Sequence, residues 1–220
     1  MYLILKRLID ILLSSVAIII FSPILIFIFF LLKFTGEGEV FYLQERVGYK
    51  NRIFLIYKFV TMIKNSPNIG NGDVTLRNDP RVTKVGKYLR KFKLNELPQV
   101  FNVFLGHISL VGPRPLMKAG FLRYSQSFQN RIYNVKPGLT GIGSIIFRDE
   151  EKILTESKLP PHECYKKIIL PYKGALELWY QENKSLLLDF QIIFMTVWVI
   201  LFSKSKLYER IFKNLPKQKK

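Results

Sequence analysis

Residues 91–115, KFKLNELPQVFNVFLGHISLVGPRP, hold the densest local information in the chain. Asn95 is a good N-cap residue, Pro98 suits a first helical turn whose N–H groups lack partners, and Gly106 can close the helix. The spacing therefore predicts a helix from Asn95 to Leu105. Its start lies among Lys91, Lys93 and Arg90, and a helix N-terminus flanked by cations favours phosphate. Glu96 adds a carboxylate that can hold a divalent cation there. The stretch closes on Gly112-Pro113-Arg114-Pro115, a rigid turn that carries one arginine.

Outward from that stretch the pattern is mixed. Val40–Leu43 and Ile53–Tyr57 are short β-branched and aromatic runs around Gly48, which predicts a hairpin. Residues 64–80 are rich in Asn, Gly, Asp and Pro and read as a loop. Residues 82–92 place Val82, Val85, Leu89 and Phe92 on one helical face. Residues 116–134 predict a further helix, Lys136-Pro-Gly-Leu-Thr-Gly141 is turn chemistry, and 154–180 is mostly helical. This is an α+β body, with too few strands for a doubly wound sheet. No GxGxxG or GxxxxGK[ST] loop occurs in context, so nucleotide binding by those routes is unsupported.

The composition narrows the function classes. A chain of 220 residues is one domain plus attachments, and 49% hydrophobic content excludes ordinary disorder. A formal net charge of +18 points to something anionic: headgroups, nucleic acid or phosphorylated substrates. From Arg46 to Lys93 there are twelve Lys/Arg against two acids. A basic face beside a membrane explains this better than nucleic acid, because no RNA-binding aromatic motif is readable. Cys164 stands alone and His107 and His162 are the only histidines, so disulfides, zinc clusters and Ser-His-Asp triads are poorly supplied. A reducing, cytosol-facing location fits.

Ile11 to Leu32 is twenty-two residues without a charge. As a helix it extends about 33 Å, enough to cross a hydrocarbon core. No small-residue cleavage site follows Ser22-Pro23, which argues against a secretory signal. Pro23 leaves the carbonyl of Ile19 without a donor and predicts a kink, and Ser22 can bond back to Ile18. Two topologies follow: a kinked spanning helix, or a helix-break-helix hairpin that enters and leaves by one face. Lys6 and Arg7 before the run, and Lys33 after it, put both flanks on the cytoplasmic side and favour the hairpin. A second apolar stretch lies between Lys184 and Lys204. Its polar residues Ser185, Asp189, Thr196 and Ser203 fall on one helical stripe. That predicts an amphipathic helix lying on the membrane or packed on the domain, followed by a basic tail.

The ordered series Lys6-Arg7, Ser22-Pro23, Gln44-Glu-Arg-Val-Gly48, Tyr57-Lys-Phe-Val-Thr-Met62, Asn95-Glu-Leu-Pro-Gln99, Asn102-Val103, Ser109-Leu-Val-Gly-Pro-Arg-Pro115, Lys136-Pro-Gly138 and Leu188-Asp189 resembles the bacterial sugar transferases. These are small monotopic polyprenyl-phosphate phosphoglycosyl transferases. The resemblance covers almost the whole chain. It implies an enzyme that moves a phosphosugar from a UDP-sugar to undecaprenyl (polyprenyl) phosphate with Mg2+ and releases UMP. That step begins surface polysaccharide synthesis at the cytoplasmic face of the inner membrane. It also implies a reentrant membrane segment at 1–34, a catalytic domain at 35–184 and an amphipathic helix with basic tail at 185–220. A homodimer is compatible with the sequence and not required by it.

By the same resemblance Lys58, Arg114, Pro113 and Pro115 serve the substrates, Glu96 and Asp189 are the metal candidates, and Asn95-Glu96 is the catalytic dyad. Arg90 is a further substrate candidate, at a helix C-terminus that attracts cations for its own reasons. Lys6, Arg7, Ser22 and Pro23 belong to the membrane segment. Lys58 also reads as a strand-edge charge, and Arg114 as a brace for its turn. The family's dyad is Asp-Glu, and its aspartate attacks the sugar-bearing phosphorus. Asn95 is neutral and cannot do this. Four accounts remain open: attack by Glu96, which is slightly preferred; direct attack by the acceptor phosphate, with Glu96 holding magnesium; service by Asp189 or the 149–151 acids; and a binding scaffold without turnover. Val60, His107 and Gly141–Glu151 also depart from the family pattern. His107 reads as a surface residue.

Overall fold

The computed structural model describes residues 1–35, 38–66, 79–202 and 205–217. Most of the expected 64–80 loop, and Ser203 of the polar stripe, lie outside the described residues. The chain forms two compact units. The first takes Met1–Asp10, Arg46–Phe54 and Gly106–Lys220, and the second takes Ile11–Glu45 and Leu55–Leu105. This grouping cuts across the linear partition into 1–34, 35–184 and 185–220, because the first helix contributes residues to both units.

That helix, α1 (Tyr2–Phe34), runs unbroken through Pro23. The expected helix-break-helix is thus corrected to a single helix. Pro23 cannot donate to the carbonyl of Ile19, and the Ser22 hydroxyl donates to that same carbonyl at 2.8 Å, not to Ile18. One side chain repairs the lost hydrogen bond, which lets the helix pass the proline without ending. α1 is long and apolar enough to cross a membrane. Most of its large apolar side chains between Leu12 and Phe30 are exposed.

In the second unit the last turns of α1 pack on the body. Leu25, Ile28 and Leu32 form a core with Val40, Phe59 and Leu89, joined by Val85, Leu94, Leu97 and Phe101. Each buried leucine or isoleucine contributes about 1.5–3 kcal/mol. Strands β1 (Phe41–Val47) and β2 (Ile53–Phe59) pair as the predicted hairpin, with β1 extended by four residues at its turn end and β2 by two at its far end. Helix α2 (Lys84–Lys91) starts at Thr83, whose hydroxyl accepts from the Gly86 N–H at 2.9 Å. A Cβ on Gly86 would lie 2.1 Å from the Thr61 carbonyl oxygen. Gly86→Ala is therefore expected to cost about 1–3 kcal/mol in chemical denaturation, through a clash that a backbone carbonyl cannot avoid by changing rotamer. Arg81 and Asp79 are buried and paired at 2.7 Å, and Arg81 Nη1 donates to the Ser66 carbonyl at 2.9 Å.

A left-handed Lys93 (φ 58°) turns the chain into a 3-10 turn at Leu94–Glu96, and α3 (Gln99–Leu105) follows. Asn95 therefore sits inside the 3-10 turn and does not cap an α-helix as expected. Its Oδ1 is buried without a hydrogen-bond partner among the described residues. Gly106 adopts φ 83° and ends α3 as predicted.

In the first unit, β3 (Ser109–Val111) and β4 (Gly138–Thr140) pair in parallel, Ser109 opposite Gly138 and Val111 opposite Thr140. Residues 138–140 carry turn chemistry and no strand pattern of their own. The predicted 116–134 helix divides into α4 (Lys118–Phe121) and α5 (Gln126–Ile132). Short helices α6 (Ile142–Ile146), α7 (Glu150–Glu156) and α8 (Pro161–Cys164) lead through one π turn into α9 (Leu170–Asn183). The core joins Val111, Ile142, Ile145, Leu176 and Tyr180 to Leu188, Ile192, Met195 and Val199 of α10 (Leu186–Leu201). A four-residue helix, α11 (Tyr208–Ile211), follows.

Of the two sequence readings of α10, the structure takes the one in which it packs on the domain. The polar stripe faces the protein: Asp189 is buried, and Thr196 hydrogen-bonds Thr140 at 2.7 Å. The opposite stripe, Leu187, Phe190, Phe194, Val197 and Leu201, is at least half exposed throughout. α10 is apolar on its outer face because its few polar groups are used internally.

Candidate functional site

The second unit gathers Lys58, Arg90, Asn95 and Glu96. Asn102 fixes their scaffold. It is fully buried, and its carboxamide accepts from the Tyr57 N–H at 2.9 Å and donates to the Leu55 carbonyl at 2.8 Å. That clamp ties α3 to the strand segment leading into Lys58. Across the hairpin, Lys58 Nζ donates to Gln44 Oε1 at 3.0 Å. Arg90 leaves the end of α2 and its Nε donates to the Thr61 hydroxyl at 2.8 Å. Burial lowers its affinity for its proton and Arg81 adds to that, while Asp79 and Glu96 oppose it. Arg90 and Glu96 are thus electrostatic neighbours. Leu94, Leu97 and Phe101, which bracket the dyad, pack against the core that Leu25, Ile28 and Leu32 of α1 form with Val40, Phe59 and Leu89. The residues flanking the dyad thus share one hydrophobic core with the end of the long apolar helix.

The first unit holds the Gly-Pro-Arg-Pro turn. Pro113 and Pro115 are buried and Arg114 is exposed between them. The Gly138 N–H donates to the Pro113 carbonyl at 2.9 Å, and Gly112 donates to the Thr140 carbonyl at 3.0 Å. Arg46 Nη1 reaches the Pro115 carbonyl at 3.3 Å. Two residues that sequence reasoning missed, Tyr133 and Glu177, complete the support. The Tyr133 hydroxyl accepts from Leu116 N–H at 2.8 Å and donates to the Arg114 carbonyl at 2.9 Å. Glu177 Oε1 receives the Arg114 N–H at 3.5 Å. A lone acid in an apolar helix pattern gives no signal that separates it from a solvated charge.

Burial pushes the Glu177 carboxyl up to about 7, against the opposing influence of Lys173 and Arg114. The folded chain therefore holds this proton more tightly than the unfolded chain. The group's stabilising contribution is complete below its unfolded value of 4.5 and is lost as pH rises through about 7. Glu177→Gln is expected to be near-neutral at pH 5 and to raise stability at pH 8 by on the order of 3 kcal/mol. Paired urea titrations at the two pH values check this.

The other acids are placed differently from the dyad. Asp189 pairs with Lys6 at 2.7 Å and also receives the hydroxyls of Tyr2 at 2.9 Å and Tyr180 at 2.7 Å. Both of its oxygens are engaged, so it does not fit a magnesium ligand; it anchors the start of α1 to α10. Asp10 works alongside it by accepting from the Leu110 N–H at 3.0 Å. Glu150 pairs with Lys173 at 2.7 Å. Among the described residues no group of three His, Cys, Asp or Glu is assembled for a metal. Magnesium takes one or two carboxylates with substrate phosphates and water, so Glu96 fits the role with a diphosphate present. His107 is exposed, as expected, and lies 6.4 Å from the Phe54 ring.

An α+β body whose acid-bearing turn is flanked by residues that share a core with a long apolar helix defines a class of protein compatible with membrane association. The chain belongs to the bacterial sugar transferase family, whose model matches residues 1–203. It is 36% identical over 207 residues to the UDP-N-acetylgalactosamine-undecaprenyl-phosphate N-acetylgalactosaminephosphotransferase of Aeromonas hydrophila, covering 91% of this chain and 44% of that protein. It is 33% identical over 213 residues to the exopolysaccharide production protein ExoY of Rhizobium meliloti, with 90% and 86% covered. With the undecaprenyl-phosphate galactose phosphotransferase of Salmonella typhimurium it shares 33% identity over 211 residues, covering 90% and 40%. The chain thus spans about two fifths of the length of the Aeromonas and Salmonella relatives.

Proposed function

We propose that this protein transfers a phosphosugar from a UDP-sugar to undecaprenyl phosphate, releasing UMP at the cytoplasmic face of the inner membrane, as the first membrane step of a surface glycan. The observation that carries this reading is that the residues flanking Asn95–Glu96, Leu94 and Leu97, share one core with Leu25, Ile28 and Leu32 of α1. A water-soluble donor and a lipid-bound acceptor can meet only where a polar site adjoins an apolar anchor. The names of the Aeromonas and Salmonella relatives support the substrate classes and differ in the sugar.

In the reaction the bond between the sugar-bearing phosphorus and the UMP oxygen breaks, and UMP leaves with that electron pair. Lys58 and Arg90 offset charge on the phosphates, and Arg114 takes a donor phosphate or the uridine end. Glu96 holds magnesium with the diphosphate, or attacks the phosphorus itself. When bound, the metal supplies positive charge to the diphosphate and to the departing phosphate. Asn95 contributes a neutral carboxamide that orients the donor. Lys6 and Arg7 before the apolar run and Lys33 after it support a monotopic placement with both flanks on the cytoplasmic side.

The test incubates purified protein with a panel of UDP-sugars, undecaprenyl phosphate and magnesium, and measures UMP. The expected result is release with at least one donor; none from any donor, with folded protein, overturns the reading. A tag at Met1 reached only from outside intact cells would overturn the topology. Asn95 favours a second reading, a scaffold that binds the donor or lipid phosphate without turnover, which the same assay separates through donor binding without UMP.

A further inference from the structure

We propose that Glu177 is a positioning residue for Arg114: together with Tyr133 it fixes the backbone on both sides of that arginine, so that the exposed guanidinium is presented to the donor nucleotide. This rests on the reading of Arg114 as a donor-binding residue.

The geometry is specific. Arg114 has its N–H held by Glu177 Oε1 at 3.5 Å and its carbonyl held by the Tyr133 hydroxyl at 2.9 Å. The same hydroxyl takes the next N–H but one, that of Leu116, at 2.8 Å. Pro113 and Pro115 remove the remaining freedom of the turn. The side chain of Arg114 is exposed while everything that orients it is buried.

Glu177 also occupies a place shaped for a carboxylate. It is 3% exposed. A Cβ on Gly143 would lie 2.5 Å from its Oε1, and one on Gly141 would lie 3.8 Å from its Oε2. Oε2 is buried with no hydrogen-bond partner among the described residues. An acid held this way penalises folding, and a neutral residue of the same shape would not. Strain of that kind in the support of a binding turn is characteristic of functional sites.

The groups around it set its titration. Lys173, one turn earlier on α9, and Arg114 from the turn favour the ionised form. Lys173 is shared with Glu150 of α7 at 2.7 Å. Arg46 from β1, and Tyr133 following α5, are further charged and titratable groups beside the turn. Tyr124 is a further neighbour and senses Glu177. Burial dominates, and the carboxyl exchanges its proton near pH 7. The ionised form is the stronger acceptor for the Arg114 N–H.

UDP binding to the full chain in detergent, measured by calorimetry from pH 5.5 to 8.5, tests this. Wild-type affinity is expected to fall as pH drops through about 7. Glu177→Gln should bind about tenfold more weakly at pH 8 and lose that component of the pH profile, while melting higher than wild type at pH 8. The comparison between variants cancels the titration of the UDP phosphate. Lys173→Met, which removes a cation that favours ionisation, should move the wild-type midpoint upward, and it serves if the Gln variant does not fold. Glu177→Gln with wild-type affinity and profile, or Lys173→Met with an unmoved midpoint, overturns the proposal. Arg114→Ala separates the two levels of inference. If it binds UDP as wild type does, or wild type binds none, the donor reading of Arg114 falls and this proposal with it. If it binds weakly while Glu177→Gln is unaffected, only the role of Glu177 falls.

Discussion

Glu96→Gln should abolish UMP release, with a fall of about three orders of magnitude or more and little loss of fold. Glu96 lies in a short 3-10 turn, half-buried, and the packing around it is supplied by Leu94, Leu97 and Phe101. A neutral amide of the same shape keeps that packing and removes the negative charge on which both live mechanisms depend. Asn95→Asp should change the rate far less, by under about tenfold. Asn95 Oδ1 has no buried partner to stabilise a charge there, and a second carboxylate beside Glu96 would be pushed toward its neutral form. A large gain with Asn95→Asp would instead identify a decayed dyad. Intact-protein mass spectrometry with donor alone then separates the two mechanisms. A phosphosugar adduct on Glu96 identifies it as the attacking group, and UMP release that requires the lipid acceptor, without an adduct, assigns attack to the acceptor phosphate.

The second large effect is structural. Asp189→Ala should cost about 3–5 kcal/mol, because it strands Lys6 and the hydroxyls of Tyr2 and Tyr180 in a buried setting. The side chains of Lys6 and Asp189 are 13% and 8% exposed, so solvent screens the pair little. Thermal unfolding in detergent measures the loss, and limited proteolysis should show cleavage near Met1–Asp10 that wild type resists. The double variant Lys6→Met/Asp189→Leu should recover most of the stability, since the penalty comes from an orphaned charge and not from the absence of a pair. A single-variant loss below about 1 kcal/mol would show that the pair is solvated.

How far the sequence was readable follows the range of the interactions involved. The hairpin, α2 and the end of α3 at Gly106 were visible because adjacent residues specify them. The β3–β4 pair was not, since three-residue strands joined across 27 positions leave no periodic signal. Asn95 was read as a cap from residue type, but the left-handed Lys93 diverts the chain into a 3-10 turn first. In α10 the polar stripe is legible in the sequence, but whether it faces the domain is not, because Asp189 finds its partners in Lys6 and Tyr2, more than 180 residues away. For the site, Lys58, Arg90 and Glu96 carry recognisable chemistry. Asn102 belongs to the ordered motif series, though its clamp on Leu55 and Tyr57 shows only in the fold. Glu177 carries no such signal, since its meaning lies in what folding brings against it.

The outward row of Leu187, Phe190, Phe194, Val197 and Leu201 has a practical consequence. In plain buffer such ridges will close on one another, so any preparation freed of amphiphile should sediment as aggregates. Within a bilayer the same ridge would confine the molecule to a plane and turn the encounter with its carrier into a search along a surface.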